Sequence, residues 1–120
     1  MNEKKIYGFS AEQKVAQFLL DKGYEVLANN FSYKQLGEID IICKKDSLII
    51  FVEVKARKKK YTSINNLVNK TKQIKIISTA KMYLLQNNIH QSCYNLRFDI
   101  AYVQEGKEID YYENAFSTSE

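Results

Sequence analysis

Two short stretches decide the fold: GEIDII at residues 37–42 and FVEVKAR at residues 51–57. Each is rich in β-branched and apolar residues, so we predict strands over residues 38–44 and 48–56. The Asp-Ser pair at residues 46–47 lies midway between them and predicts a hairpin turn, although Asp-Ser favours a tight turn less strongly than Asn-Gly does. Both strands carry acidic residues within apolar sequence, and the positions of those acids decide what the hairpin can do.

The hairpin turn fixes which residues of the two strands face each other. A turn centred between residues 46 and 47 pairs residues that are equally distant from it, which places Asp40 opposite Glu53 and Glu38 opposite Lys55. Directly opposed side chains have Cβ atoms about 5 Å apart, and like charges at that distance repel. Two facing carboxylates within apolar strands therefore need a shared proton, a neighbouring cation or a bound metal.

Of these three compensations, a bound metal would also give the site a catalytic role. Carboxylate oxygens at this separation suit a hard cation such as Mg²⁺ or Mn²⁺, with Asp40 and Glu53 as its ligands. Lys55 lies two residues beyond Glu53 on the same face, where its ammonium group would hold an attacking water or a scissile phosphate. Glu12, at the border of the inward face of a predicted helix, supplies a third carboxylate and is a candidate outer ligand.

Each of these residues also has a purely structural interpretation. Glu38 and Lys55 would form a cross-strand salt bridge, with Asp40 and Glu53 exposed on a solvated face of the sheet. Glu12 would stabilise the positive end of the helix dipole. However, the apolar run that precedes Glu53 predicts burial, and a buried carboxylate is costly unless it is satisfied or used. This predicted burial favours a functional site.

A helix over residues 10–22 is predicted ahead of the hairpin. Ser10 is positioned to cap it, and Gln13 would complete a capping box with Ser10. Gly23 follows the last residue of the apolar pattern and is positioned to end the helix. Residues 24–28 alternate weakly between apolar and polar, which predicts a short strand between this helix and the hairpin.

The rest of the chain predicts a helix over residues 66–86 and strands over residues 96–103 and 108–112, the strands joined by a turn at residues 104–107. The apolar positions expected on the buried side of this helix are Ile74, Ile77, Ala80, Leu84 and Leu85. The element order is αβββαβ plus a short strand, which indicates an α/β fold with a mixed central sheet flanked by helices. The chain has 120 residues, so we expect one domain over residues 1–120.

Positive charge is concentrated in one part of the chain. The net charge is only +4, but residues 54–98 contain ten Lys or Arg residues and no Asp or Glu. Such a stretch attracts polyanions, so nucleic acid is the leading partner and a solvated lysine-rich face is the alternative. We assign the phosphate contacts to a cluster after the third strand and to one helix residue, namely Arg57, Lys58, Lys59, Lys60 and Lys72.

The sequence predicts neither a membrane span nor export. The longest apolar run, at residues 48–52, is too short to cross a bilayer, and the N-terminal residues lack the apolar core of a signal peptide. We therefore expect a cytoplasmic protein whose Cys43 and Cys93 are free thiols, because that compartment is reducing. His90 is the only histidine, has no partners for a structural zinc site and is expected on a surface loop.

With these motifs identified, the chain resembles the YraN-like family of predicted bacterial endonucleases. That family falls within the PD-(D/E)XK nuclease superfamily and is distantly related to archaeal Holliday-junction resolvases. The likeness covers nearly the whole chain and is most specific where GEIDII is followed by FVEVKAR. The superfamily label has proline before its first acid, where this chain has Ile39, but that proline is often absent. The other matching pieces are Gly8, Ala11-Glu12, Gly23-Tyr24, Asn30-Phe31, Lys72-Gln73, Ala80, Tyr83-Leu84, Arg97-Phe98-Asp99 and Asn114-Ala115-Phe116.

The resemblance implies a restriction-endonuclease-like core and a metal-dependent endonuclease that hydrolyses phosphodiester bonds of branched or structured DNA, with DNA ahead of RNA. It implies that Asp40 and Glu53 are ligands of Mg²⁺ or Mn²⁺, that Lys55 is the catalytic lysine and that Glu12 completes the acidic site. Cleavage of junctions would favour a homodimer. The alternatives are a protein that binds nucleic acid without cleaving it and a scaffold subunit of a repair complex on the same fold.

Overall fold

The computed structural model describes residues 3–56, 68–104 and 106–117. In chain order the elements of these residues are α1 (Glu3–Asp21), β1 (Glu25–Tyr33), β2 (Gly37–Lys45), β3 (Leu48–Ala56), α2 (Lys70–Gln86), a 3₁₀ helix (Gln91–Cys93), β4 (Asn95–Val103) and β5 (Asp110–Phe116). The five strands form one mixed sheet in the order β1-β2-β3-β4-β5. β3 and β4 are parallel, and the other neighbours are antiparallel. This arrangement confirms the predicted α/β fold.

Helices cover both faces of the sheet. On one face, Leu19 of α1 lies in a buried cluster with Ile41 of β2. On the other face, Ile76 of α2 lies in a second buried cluster with Phe51 of β3. Residues 49–53 of β3 are all buried, because this strand lies between the two helical layers. A strand covered on both faces needs a continuous apolar sequence, which explains the apolar run in this part of the chain.

The β2–β3 hairpin has the predicted register. Residues 46–47 form the turn, and Lys45 pairs with Leu48 immediately beside it. The antiparallel pairing continues without a shift as far as Ile41 and Val52. The next position on each strand is an acid of the candidate site. A turn of two residues thus carries the two acids to neighbouring positions at the far end of the hairpin.

α1 ends as predicted but begins earlier. The backbone N–H of Gly23 donates to the carbonyl of Leu20 over 3.0 Å, and its φ of 92° is the left-handed value typical of a residue that ends a helix. The helix begins at Glu3, so Ser10 lies inside it and the predicted capping box with Gln13 is wrong. The earlier residues include lysine and glutamate, which favour helix, and one glycine costs a helix only about 1 kcal/mol.

α2 differs from the prediction at its start and in the residues that it buries. It begins at Lys70, with Asn69 as its N-cap, and the predicted start at Asn66 lies outside the described residues. Ile74 and Leu85 are 54% and 70% exposed, so their predicted burial is wrong. The helix is rotated relative to that expectation because polar and aromatic residues share its inner side. Its buried residues are Gln73, Ile76, Thr79, Ala80, Tyr83 and Leu84.

Two strands are longer or later than predicted because asparagine allows the backbone to change direction within a strand. β1 continues past residue 28 through Asn30, whose φ of 52° is left-handed. Its pairing with β2 then resumes, with Phe31 opposite Ile39. β5 occupies Asp110–Phe116 rather than residues 108–112. Asparagine tolerates this conformation better than most residues, but in a sequence it is typical of a turn.

β4 carries a fully buried carboxylate whose charge is matched. Arg97 donates from Nε to Oδ1 of Asp99 over 3.0 Å and from Nη2 to Oδ2 over 2.9 Å. The Tyr111 hydroxyl donates to Oδ2 over 2.6 Å, and the Asn114 backbone N–H donates to Oδ1 over 2.9 Å. Asp99 has no exposed surface. These contacts tie β4 to β5 through one charged group.

The remaining sequence expectations concern cysteine, histidine and membranes. Cys43 is buried, Cys93 is exposed, and both are free thiols as predicted. Burial raises the pKa of the Cys43 thiol to about 12, which keeps it in the unreactive protonated form. His90 is exposed and precedes the 3₁₀ helix. Within the described ranges, no helix is long and apolar enough to cross a membrane.

Candidate active site

The candidate site lies at the end of the hairpin opposite its turn, where β2 begins and β3 ends. Beyond the last regular pair of the two strands, Oδ2 of Asp40 accepts the backbone N–H of Val54 over 2.7 Å. The Asp40 side chain therefore bridges the two strands. Glu53, which precedes Val54 on β3, is 5% exposed. The alternative in which both acids lie on a solvated face of the sheet is wrong, because Glu53 is buried.

Asp40 lies close enough to Glu53 for its own protonation to be affected. Burial raises the pKa of Asp40, and the negative charges of Glu53 and Glu12 and a hydrogen bond with the Glu53 side chain raise it further, whereas the Val54 N–H lowers it. The resulting pKa is about 8. A carboxyl group with that pKa keeps its proton at neutral pH. A proton is one of the three compensations that the sequence left open.

Two lysines approach this pair from different elements. Lys55 Nζ lies 3.4 Å from Oε2 of Glu53, on the same strand and the same face, as the alternation of β3 predicts. Lys72 Nζ, from the first turn of α2, lies 3.6 Å from the same oxygen. The ion pair of Lys55 is thus formed with Glu53 and not with Glu38 on the opposite strand, where the structural alternative had placed it. Glu38 is exposed.

The predicted phosphate contacts are only partly described by the structure. Arg57, Lys58, Lys59 and Lys60 lie outside the described residues. Lys72, the fifth, lies within the acidic site rather than on a separate surface. A buried hydrogen bond holds the start of α2 in place: the side-chain amide of Gln73 donates to the carbonyl of Val68 over 3.0 Å. The first turn of α2 is therefore fixed beside the acids.

Glu12 lies near the pair without joining it. Its charge contributes to the raised pKa of Asp40, but its Oε1 accepts a hydrogen bond from Nδ2 of Asn30 over 3.0 Å. Within the described part of the chain, no three acidic, cysteine or histidine side chains gather closely enough to form a metal-binding group. The three-carboxylate site that the sequence predicts is thus present as a pair with a third acid held beside it.

Asn30 is a site residue that the sequence analysis did not single out. Asn30 belongs to the residues that match the family pattern, but an Asn-Asn pair is typical of a turn. The register of β1 with β2 places Asn30 between the pairs Asn29–Ile41 and Phe31–Ile39, next to Asp40. Extending the first strand through the asparagines and pairing it with GEIDII would place Asn30 beside Asp40.

The donors at this site fit a hard divalent cation. Asp40 and Glu53 offer carboxylate oxygens on adjacent strands, and Mg²⁺ is commonly held by one or two carboxylates with waters in its remaining positions. Asp40 keeps Oδ1 free of the Val54 contact, which uses Oδ2. A cation there would replace the proton of Asp40 as the compensation for the two like charges.

The chain is similar to a known protein family and to individual members of it. A family model described as "Uncharacterised protein family UPF0102" matches residues 11–103, a range that contains every acid and lysine of the candidate site. A UPF0102 protein of Alkaliphilus oremlandii is 42% identical over 97% of this chain and 100% of its own length. A UPF0102 protein of Acetivibrio thermocellus is 40% identical over 96% of this chain and 94% of its own length.

A solved structure shares the fold. Hjc, a Holliday junction resolvase from the archaeal hyperthermophile Archaeoglobus fulgidus, superposes with a TM-score of 0.52 and covers 88% of this chain and 76% of its own. The two sequences are 13% identical. At that level the likeness concerns the fold, and it agrees with the resolvase-like nuclease architecture that the sequence predicts.

Proposed function

The chain belongs to the UPF0102 family, and from the geometry of its site we propose that it is a metal-dependent endonuclease that hydrolyses phosphodiester bonds of branched or structured DNA. One observation carries the proposal: burial and the charge of Glu53 raise the pKa of Asp40, and the Lys55 ammonium lies 3.4 Å from Glu53. Perturbed carboxyl groups beside a lysine are typical of functional sites. A protein that only binds nucleic acid gains nothing from buried acids that face a polyanion.

Each residue has a distinct role in the proposed reaction. Asp40 and Glu53 would hold Mg²⁺ or Mn²⁺, which when bound lowers the pKa of a coordinated water and stabilises the charge that develops on the phosphate. Lys55 would orient the attacking water or a non-bridging phosphate oxygen as a point charge. Asp40 would release its proton when a cation binds. Glu12 would complete the acidic environment from α1, held in place by Asn30.

Two observations support DNA with a branched structure as the substrate. The solved structure with the same fold is named as a Holliday junction resolvase. The stretch from residue 54 to residue 98, which includes Lys55 and Lys72 of the site, has ten basic residues and no acids. A four-way junction has two-fold symmetry, so cleavage of both of its strands favours a homodimer in which each protomer supplies one site.

The experiment that tests this proposal measures cleavage of a panel of DNAs with Mg²⁺ or Mn²⁺. The panel contains four-way junctions, flaps, duplexes and single strands of the same sequence. Asp40→Asn, Glu53→Gln and Lys55→Ala should each lower the single-turnover rate about 10²-fold or more. Glu38→Gln is the matched control, because it neutralises an exposed acid of the same strand and should cleave as the wild type does.

The outcomes separate the candidate functions. If Asp40→Asn cleaves as fast as the wild type, Asp40 is not a metal ligand and the proposed site is wrong. If the wild type binds the junctions but cleaves none of the panel with either metal, the protein is a binding module or a subunit of a larger complex. If Glu38→Gln loses as much activity as Asp40→Asn, the effect is one of general charge and not of the buried pair.

A further inference from the structure

One carboxylate oxygen of the site is shared by two ammonium groups. Oε2 of Glu53 lies 3.4 Å from Lys55 Nζ and 3.6 Å from Lys72 Nζ. Glu53 is buried, and its oxygens are the donors that a cation beside Asp40 would need. A divalent cation on Glu53 would repel both ammonium groups, because all three would lie against one carboxylate. Loading the site with a cation would therefore weaken at least one of the two ion pairs.

Lys72 is the lysine that is free to leave. Its side chain is 42% exposed, against 19% for Lys55, and its ion pair is the longer of the two. Lys55 belongs to a central strand paired with Tyr102 of β4, whereas Lys72 extends from the first turn of a helix. The positive end of a helix dipole repels a cation in that turn, and the first turn of α2 contains no acidic residue. Among the described residues, Glu53 forms the ion pair with Lys72 that offsets this repulsion.

We propose that Lys72 couples cation binding to nucleic-acid binding. While no cation is bound, the Glu53 carboxylate forms an ion pair with the Lys72 ammonium group. Once Glu53 ligates a cation, the ammonium is released and contacts a backbone phosphate beside the scissile bond. This inference rests on the proposed function, because it requires a cation at Asp40 and Glu53 and a nucleic acid across the site. Thermodynamic linkage then requires that each ligand strengthen the binding of the other.

The coupling distinguishes Lys72 from an ordinary phosphate contact. A lysine that faces solvent contributes to nucleic-acid affinity whether or not the site is loaded. Lys72 should contribute only when the site is loaded, because its charge is otherwise matched within the protein. Lys81 is a matched control: it is exposed, it lies further along the same helix, and its neutralisation removes the same net charge.

The test measures the affinity of four-way junction DNA at several salt concentrations, with and without CaCl₂. Ca²⁺ takes the same oxygen ligands, and a denaturing gel verifies that the strands stay intact. Without Ca²⁺, Lys72→Gln should bind as the wild type does. With Ca²⁺ it should bind about fivefold more weakly. Its plot of log affinity against log salt should then be shallower by about 0.9, the loss of one phosphate contact. Any effect of Lys81→Gln should be the same in both conditions.

A calorimetric titration with Ca²⁺ alone provides the second readout. Lys72→Gln should bind the cation more tightly than the wild type, because a competitor for Glu53 is gone, and Lys81→Gln should not. If Lys72→Gln weakens DNA binding equally with and without Ca²⁺, or leaves both affinities unchanged, the coupling is wrong while the proposed nuclease stands. If the wild type binds no cation, the proposed function and the coupling are both wrong.

Discussion

Two carboxylates of the central sheet, the fully buried Asp99 and the half-buried Asp40, have opposite surroundings. Asp99 on β4 receives two hydrogen-bonded nitrogens of Arg97, the hydroxyl of Tyr111 and a backbone N–H. Asp40 on β2 receives the backbone N–H of Val54 and lies beside the carboxyl group of Glu53, with the charge of Glu12 nearby. The first acid is surrounded by donors and an opposite charge, and the second by like charges.

On the proposed function, this contrast separates an acid that stabilises the fold from acids that would hold a cation. Around Asp99 the protein supplies a counter-charge, and burial, followed by the negative charge of Asp99, raises the pKa of Tyr111 well above its ordinary value. Around Asp40 burial, followed by the negative charge of Glu53, raises the pKa of Asp40 to about 8. A fold tolerates such repulsion where function uses it. The predictions below test whether the two acids differ in this way.

The largest difference should appear when each acid is replaced by its amide. Asp99→Asn leaves Arg97 without its buried counter-charge, so the free energy of unfolding should fall by about 3–5 kcal/mol. Asp40→Asn removes a carboxyl group that the folded protein keeps protonated at neutral pH at a cost in stability, so the stability of the cation-free protein should be equal or higher. Urea denaturation at neutral pH measures both changes. Equal losses in the two variants would mean that the two acids do not differ in the way described.

Cations should stabilise the protein through one of the two regions only. At a free Mg²⁺ or Mn²⁺ concentration one hundred times the dissociation constant, the wild type should gain about 2.7 kcal/mol. Asp99→Glu, if folded, should keep this gain, and Asp40→Asn should lose it. Thermal unfolding with and without the cation makes the measurement, and Glu38→Gln controls for charge on β2. A full gain in Asp40→Asn would show that the cation binds elsewhere.

The raised pKa of Asp40 predicts a pH dependence with a definite sign. The folded protein keeps a proton up to about pH 8 that the unfolded chain releases near 3.8. Stability should therefore fall as the pH rises between these values, by up to about 1.4 kcal/mol per pH unit, and level off above pH 8. The measurement is the difference in stability between the wild type and Asp40→Asn across this range. A difference in stability that does not change with pH would contradict the raised pKa of Asp40.

The smallest expected effect concerns Asn30. Asn30→Gly keeps the left-handed backbone accessible but removes the hydrogen bond to Glu12, which is worth about 1 kcal/mol. Because Glu12 would lose its orientation, calorimetry should show Mg²⁺ binding weakened by less than tenfold. Glu12→Gln, which removes the charge itself, should weaken it more. Tighter binding in Asn30→Gly would mean that Asn30 holds Glu12 away from the cation.

The sequence was sufficient for the part of the site that depends on one hairpin. A two-residue turn and the alternation of side chains determine that Asp40 and Glu53 are neighbours and that Lys55 shares the face of Glu53. Local rules of this kind involve few residues and no packing angle. The fold class followed for the same reason, because the order of helices and strands limits how a sheet can be covered.

Other parts of the site depend on how distant elements pack. The contact of Lys72 with Glu53 requires the position and rotation of α2, which buries Gln73 and exposes Ile74, against its apolar pattern. The role of Asn30 requires β1 to continue through a residue typical of turns. The surroundings of Asp99 join residues of β4 and β5 across a shifted register. Hydrophobic periodicity carries no information on these contacts.

The most direct test of the central claim is a crystal structure grown with MnCl₂, with anomalous diffraction used to locate the manganese. The account predicts an anomalous peak between the carboxylates of Asp40 and Glu53, with Lys55 beside it and no such peak at Asp99. A structure in which manganese binds elsewhere, or in which the Asp40 and Glu53 carboxylates point to opposite faces of the sheet, would contradict the account.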